Sequence, residues 1–193
     1  MKLLLVLLVM FVGYGLAFYL IIRAFLVGYS LSHNEVPYVP VGRKILKLAM
    51  QKLAIKPGDK VVDIGAGDGK PVFFMAHANP KADFVGVEYN KALVWWAKFH
   101  KLFRNLRNVK LINADAFNYD FSQFNKVYLY MTPQFNHKLM PILQRQLKSG
   151  AIVVAVTFGF NKPFEEAHAS EIQEFYLGES RKRKDRVSVW IKK

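Results

Sequence analysis

The chain opens on a stretch unlike anything that follows it. From Leu3 to Ile22 no side chain is charged, and Leu, Val, Phe, Ile and Tyr fill most of the positions. At about 1.5 Å per residue, a helix of this length reaches about 30 Å, the hydrocarbon thickness of a bilayer. The run is apolar on every face, whereas a helix packed on a soluble core is apolar on one. It exceeds the roughly 7–15-residue core of a cleaved signal, and no small-x-small cleavage site follows before Ser30. The pattern therefore predicts an uncleaved transmembrane helix within residues 1–28. Lys2 alone flanks its amino side, while Arg23, Arg43, Lys44, Lys47, Lys52, Lys56 and Lys60 follow it. Because positive charge is retained in the cytoplasm, a single-pass membrane protein with its remaining mass facing the cytoplasm is expected.

Residues 29–40, YSLSHNEVPYVP, are polar and punctuated by proline, and read as a linker. Beyond them, residues 41–193 alternate regularly. Val41, Ile45, Leu48 and Ala49 have helical spacing within Val41–Lys52, and Lys56-Pro57-Gly58-Asp59 makes a turn. Short apolar runs at Lys60–Ile64, Phe84–Val87, Val109–Ile112, Val127–Met131 and Ala151–Phe158 predict five strands. Between them lie helical patterns. Pro71–Ala78 has proline in its first turn. A longer helix capped by Asn90 runs through Leu106, with Leu93, Ala97 and Phe103 near one face. A third, Gln134–Leu147, is stopped by Ser149-Gly150. Glu174–Leu177 and Val187–Ile191 flank a charged segment, Gly178–Arg186, and predict an antiparallel hairpin. The result is an α/β domain: a parallel sheet with helices on both faces, closed by a hairpin to seven strands.

Composition narrows the chemistry. Lys and Arg number 28 against 14 Asp and Glu, a formal charge of +14, so an anionic neighbour is expected, either nucleic acid or an anionic membrane face. There is no Cys, which excludes a disulfide scaffold, thiolate zinc, iron–sulfur clusters and a Cys nucleophile. His33, His77, His100, His137 and His168 show no metal-ligand spacing, so no metal site is expected. Trp95, Trp96, Phe99 and Phe103 share one predicted helix and suit a core or a membrane-facing surface better than a cofactor cage. The basic run from Arg181 to Arg186 reads as a solvated loop able to touch lipid headgroups or RNA phosphates.

The most informative stretch is Val61-Val62-Asp63-Ile64-Gly65-Ala66-Gly67-Asp68-Gly69-Lys70, a strand running into alternating glycines and then a helix. Glycine permits positive φ and close approach of a ligand to the backbone. Glu88 follows the second apolar run and can accept both hydroxyls of a ribose. Asp115 follows the third and can accept from an exocyclic amine such as that of adenine. Three acceptor sites at three successive strand ends suit one nucleoside ligand. The nicotinamide fingerprint G-x-G-x-x-G is not met, because the third glycine comes one place early, and no P-loop is present. Asp63 suits a ligand that carries an ammonium group.

These residues resemble the first three motifs of class I S-adenosylmethionine-dependent methyltransferases, over most of the chain from Val36 to Lys193. The resemblance implies a Rossmann-like seven-stranded class I methyltransferase sheet over residues 41–193. It implies S-adenosylmethionine bound by Asp63, Gly65, Ala66, Gly67, Glu88 and Asp115. Asp63, Gly65 and Gly67 would lie at the methionine end, Glu88 on the ribose and Asp115 by the adenine. The order of an apolar segment, V-P-Y-V-P, D-I-G-A-G-D-G-K, V-Y-L-Y-M-T-P-Q and L-K-S-G-A-I-V-V is similar to a narrower group. That group is the membrane-anchored protein-lysine methyltransferases of the ATP synthase c-subunit and the adenine nucleotide carrier, with their prokaryotic relatives. Their loop reads D-L-G-S-G-D-G-R, from which Ile64, Ala66 and Lys70 depart conservatively.

In that fold the methyl acceptor arrives where the fourth strand ends, at Tyr130-Met131-Thr132-Pro133-Gln134. Tyr130, Thr132 and Gln134 are the candidates for lining it, with Tyr38 as a lid. The competing reading makes Tyr130 core and Thr132 a helix cap. The [DN]-P-P-[YF] signature of enzymes that methylate adenine N6 or glutamine is absent. The expected function is methylation of lysine on a membrane-associated protein, with the bilayer as a second partner. The alternatives are a lipid or quinone methyltransferase and a noncatalytic membrane-tethered binding module. No separate nucleic-acid-binding module accompanies the positive charge, so RNA is not the expected acceptor.

Overall fold

The computed structural model describes residues 2–33, 39–160, 162–178 and 182–193. The chain divides into two compact units, Met1–Val39 and Pro40–Lys193. In the first, α1 runs Lys2–His33. Its Lys2–Ile22 stretch is long and apolar enough to cross a membrane, and its leucines, valines and phenylalanines are exposed rather than packed in a core. The helix continues five residues into the stretch expected to be linker. The first proline of that stretch is Pro37, so nothing in Tyr29–His33 breaks a helix. Pro37 and Tyr38, the expected lid, lie outside the described residues, as does Arg181 of the basic run.

The second unit is a seven-stranded sheet in the order β3-β2-β1-β4-β5-β7-β6. Its elements are α2 (Arg43–Leu53), β1 (Lys60–Ile64), α3 (Lys70–Ala78), β2 (Asp83–Glu88), α4 (Lys91–Leu102), β3 (Val109–Asn113), β4 (Lys126–Leu129), α5 (Pro133–Gln146), β5 (Ile152–Val156), α6 (Lys162–Ala167), β6 (Ile172–Tyr176) and β7 (Arg186–Ile191). Strands β1 to β5 are parallel, β7 runs antiparallel to β5, and β6 antiparallel to β7. After β1 the chain builds outward through β2 and β3, then returns to place β4 on the other side of β1. Ligands bind outside the carboxyl ends of strands at such a reversal. That is where the glycine loop and the end of β4 lie.

Alternation along the strands sorts the core into two layers. Val62, Ile64, Val127, Leu129, Val153, Ala155 and Trp190 pack with Leu139, Met140 and Leu143 of α5 and with Phe121, Phe124, Phe160 and Phe164. Val61, Phe84, Tyr128, Val154, Val156, Val187 and Val189 pack with Ile45, Ala49 and Leu53 of α2, Val72, Phe73 and Met75 of α3, and Ala97 of α4.

Several boundaries differ from expectation. α4 ends at Leu102 rather than Leu106, because the chain turns through a left-handed Asn105 (φ 44°). Phe103, expected on the packed face, is 75% exposed. β5 ends at Val156, where Thr157 takes φ 67°, and β4 ends two residues early at Leu129. α6 was not foreseen, since six residues are too few to show a helical period.

Gly86, within β2, is required by packing. A Cβ there would lie 2.9 Å from the Ala66 Cβ of the glycine loop and 2.9 Å from the Leu111 Cδ2 of β3. Gly86→Ala is expected to cost about 1–3 kcal/mol, typical of overpacking. Thermal unfolding of the detergent-solubilised chain checks this, and an unchanged midpoint would contradict it.

Candidate functional site

The site is built where β1, β2 and β4 end side by side. Asp63 is the fourth residue of β1 and is 1% exposed. Its register neighbours are Gly86 in β2 and Tyr128 in β4, so one flank carries no side chain and the other a buried phenol. Asp63 Oδ2 and the Tyr128 hydroxyl oxygen are both buried without a hydrogen-bond partner among the described residues. A buried carboxylate without a counter-charge resists ionisation. Burial raises the pKa of Asp63 to about 8, with a further push from Glu88 and a smaller one from Asp68, while the backbone N–H of Val72 opposes them. Burial, and then the nearby Asp63, hold the Tyr128 phenol well above its ordinary range.

The loop after β1 is shaped by three left-handed glycines, Gly65 (φ 77°), Gly67 (φ 55°) and Gly69 (φ 81°). Side chains rarely adopt this conformation. Gly65 also has no room for one, since a Cβ would sit 2.3 Å from Met131 Sδ beyond β4. The backbone N–H groups of Gly65 and Ala66 both donate to the Val87 carbonyl, at 2.9 and 3.1 Å, which fastens the loop to the end of β2. Asp68 accepts from the Lys70 N–H at 3.2 Å and pairs with Lys70 Nζ at 2.9 Å, closing the loop onto α3.

Glu88 completes that fastening. Its Oε2 accepts from the Gly67 N–H at 2.9 Å and its Oε1 from the Asn90 N–H at 2.8 Å. Burial raises its pKa, and the backbone N–H donors of Asn90, Gly67 and Tyr89 restrain the rise. Asn90 caps α4 as expected, its Oδ1 accepting from Ala92 and Leu93 at 2.9 and 3.3 Å. Asn113 Nδ2 donates to the carbonyls of Glu88 and Tyr89, at 3.0 and 2.7 Å, and joins the end of β3 to this corner.

Asp115 stands just past β3, and its carboxylate is engaged locally. Oδ1 accepts from the Phe117 N–H and Oδ2 from Asn118 Nδ2, each at 2.9 Å, capping a single 3-10 turn. Beyond β4, Tyr130 is half-buried with its ring 6.2 Å from that of Phe158. Thr132 caps α5, its Oγ1 accepting from the Phe135 N–H at 3.4 Å. Gln134 is exposed on the first turn of α5. Thus Asp63, the glycine loop, Glu88 and Met131 are brought together, Asp115 lies at the next strand end, and Gln134 faces solvent.

Sequence reasoning missed the turn that follows β5. Thr157 is the centre of a strained γ-turn in which the Phe158 N–H donates to the Val156 carbonyl at 2.7 Å. Arg186 fixes the turn, donating to the Phe158 carbonyl at 2.8 Å and pairing with Glu174 at 2.8 Å. Asn136 of α5, fully buried, donates to the Gly159 carbonyl at 2.6 Å. The signal for Asn136 was readable, since it lies on the buried α5 stripe of Leu139, Met140 and Leu143.

The sequence profile of the ANTKMT methyltransferase domain matches residues 63–186. A Homo sapiens protein named as the lysine N-methyltransferase of the ATP synthase c-subunit is 32% identical over 126 residues, covering 65% of this chain and 53% of that protein. The chain thus spans about half the length of that relative. A protein-lysine N-methyltransferase of Saccharolobus islandicus is 26% identical over 130 residues, covering 64% of this chain and 78% of the relative. An RNA methyltransferase from Salinibacter ruber, solved with S-adenosyl-L-homocysteine, superposes with a TM-score of 0.69 at 27% identity. The match covers 79% of this chain and 93% of that one.

The unpaired Asp63 makes a pH prediction for the unliganded protein. An unfolded Asp titrates near 4. Between there and about 8 the folded state holds a proton that the unfolded state has lost. Stability is therefore highest at the acid end of that window and falls as pH rises through it, by on the order of a few kcal/mol. Asp63→Asn is expected to flatten the decline and to stabilise the protein most at the alkaline end. Thermal midpoints across pH test this, and parallel curves for the two proteins would contradict it.

Proposed function

Since this chain belongs to the ANTKMT methyltransferase domain family, we propose that it is an S-adenosylmethionine-dependent methyltransferase acting on a lysine side chain of a membrane-associated protein. In this reading α1 holds it in a membrane and the second unit works on the cytoplasmic side. The observation that carries the cofactor is the buried, unpaired Asp63 Oδ2 beside a glycine loop. An oxygen so placed fits an ammonium group, whose charge would let Asp63 ionise.

S-adenosylmethionine supplies, when bound, a methyl group already activated on a sulfonium centre. The chain's own part is to hold and align. Gly65, Ala66 and Gly67 suit the methionine end because none of the three carries a side chain larger than a methyl. Glu88 keeps acceptor capacity beyond the backbone N–H groups it already takes, which suits a ribose hydroxyl. Asp115 likewise retains acceptor capacity for an adenine amine beyond its two capping bonds.

A lysine acceptor must be neutral to react. The rings of Tyr130 and Phe158, with the Arg183 guanidinium 4.6 Å from the Phe158 ring centre, would depress an ammonium pKa by desolvation and by repulsion. The Tyr130 hydroxyl is then the acceptor that orients the neutral amine, while Thr132 keeps its own O–H to donate. Gln134, being exposed, is suited to contact the protein substrate rather than the amine. The lysine assignment rests on the human and archaeal relatives, both named as lysine methyltransferases. The RNA methyltransferase among the structural neighbours favours a second reading, which the same assay separates.

The test offers the full chain, with methyl-labelled S-adenosylmethionine, a membrane protein fraction, a lipid extract and total RNA in parallel. Label on lysine in the protein fraction is expected, and label confined to lipid or RNA would overturn the assignment. Tyr130→Phe is expected to lower kcat about tenfold, the worth of one lost hydrogen bond, with cofactor affinity unchanged.

A further inference from the structure

α4 is turned inside out on its solvent side. Leu93, Val94, Trp96 and Ala97 are buried against the domain, as helical periodicity requires. The opposite stripe should then be polar. Instead Lys91, Trp95, Lys98 and Leu102 follow one another at spacings of three and four residues, with Phe99 four residues beyond Trp95 and Phe103 four beyond Phe99. Trp95 is 64% exposed, Phe99 41%, Leu102 78% and Phe103 75%, and Tyr89 at the start of the helix is 68% exposed. The rings form a continuous ledge, with Trp95 and Phe99 stacked at 6.2 Å and Phe99 and Phe103 edge-to-face at 5.2 Å. A contiguous aromatic surface of this kind is uncommon on a soluble monomer and marks a docking face.

The charge around the ledge identifies its occupant. Residues 89–114 contain six Lys and Arg (Lys91, Lys98, Lys101, Arg104, Arg107 and Lys110) and no Asp or Glu. Lys91 and Lys98 lie within the exposed stripe, and exposed Arg104 and Arg107 follow it. Trp, Phe and Leu between basic side chains form the composition that settles in the plane of an anionic bilayer interface. Aromatic rings fit the headgroup–acyl boundary while lysines reach the lipid phosphates. A second copy of the chain would bring the same positive charge against itself, which opposes self-association through this face.

We infer that the exposed face of α4 is an interfacial membrane-docking surface for anionic lipid, distinct from the spanning helix α1. Tyr89 adjoins Glu88, so docking would hold the cofactor corner of the domain beside the bilayer. The inference rests on the membrane-anchored reading, and the two are separable by experiment.

The full chain is reconstituted into phosphatidylcholine vesicles and into vesicles that also contain phosphatidylglycerol, each with and without brominated acyl chains. The chain has 3 tryptophans. Trp96 and Trp190 are buried, so quenching by bromine reports chiefly on Trp95. Quenching is expected in the anionic vesicles and is lost in Trp95→Tyr. Lys91→Gln and Lys98→Gln each lower the docked-to-undocked ratio about fivefold, from the electrostatic worth of one basic residue near an anionic surface. These variants bind cofactor as the parent does. Flotation reads α1 independently: a chain that floats with both vesicle types but shows no Trp95 quenching overturns the docking face and leaves the anchor. Failure to float at all overturns both. Quenching that is equal in neutral and anionic vesicles overturns the anionic preference. A concentration-dependent dimer abolished by Trp95→Glu assigns the face to a second copy instead.

Discussion

A carboxyl group buried at the end of a central strand, with one oxygen unpaired, governs this domain. Asp63 has glycine on one side in β2 and a buried phenol on the other in β4, and neither offers it a charge. The protein tolerates the cost by keeping the group protonated well above the ordinary carboxylate range. Such an arrangement is poor for stability and good for recognition, because a cation entering the site recovers what folding gave up. Gly86 beside it leaves room for Ala66 and Leu111 to pack, and the left-handed Gly65, Gly67 and Gly69 shape the loop that follows it.

That loop is held by two neighbours at the end of β2. The Val87 carbonyl takes two backbone N–H groups and the Glu88 carboxylate takes a third from Gly67. Glu88 is therefore both a structural strut and the acceptor proposed for the ribose. Loss of its carboxylate would loosen the loop as well as remove a contact, so its mutants cannot report on binding alone. Asp63, with no described partner for Oδ2, is the cleaner probe.

Much of this was legible in the sequence. Turn residues and apolar runs marked β1 to β5, and the hairpin of β6 and β7 followed from two runs about a charged segment. That Asp63, the glycines and Glu88 stand together at neighbouring strand ends was readable because such positions leave local traces: alternating glycines, and acids just past apolar runs. What escaped depends on contacts between distant residues. The requirement for Gly86 arises from Ala66 and Leu111, and the Thr157 turn is fixed by Arg186. Asp115 also caps its own 3-10 turn, and Thr132 caps α5. Phe103 misled because an apolar residue at helical spacing is ordinarily buried, and here the outward face of α4 is apolar too. The same exception is what points to a lipid partner.

The most direct test of the account is proton linkage at Asp63. Calorimetric titration of the full chain with S-adenosylmethionine, in buffers of differing ionisation enthalpy, counts the protons exchanged on binding. At about pH 6.5 an α-amino group is already charged and Asp63 is not. The account predicts release of about one proton by the parent protein and none by Asp63→Asn, which binds more weakly. Tight binding with no proton released, unchanged in Asp63→Asn, would show that the buried carboxyl group does not receive the cofactor's charge.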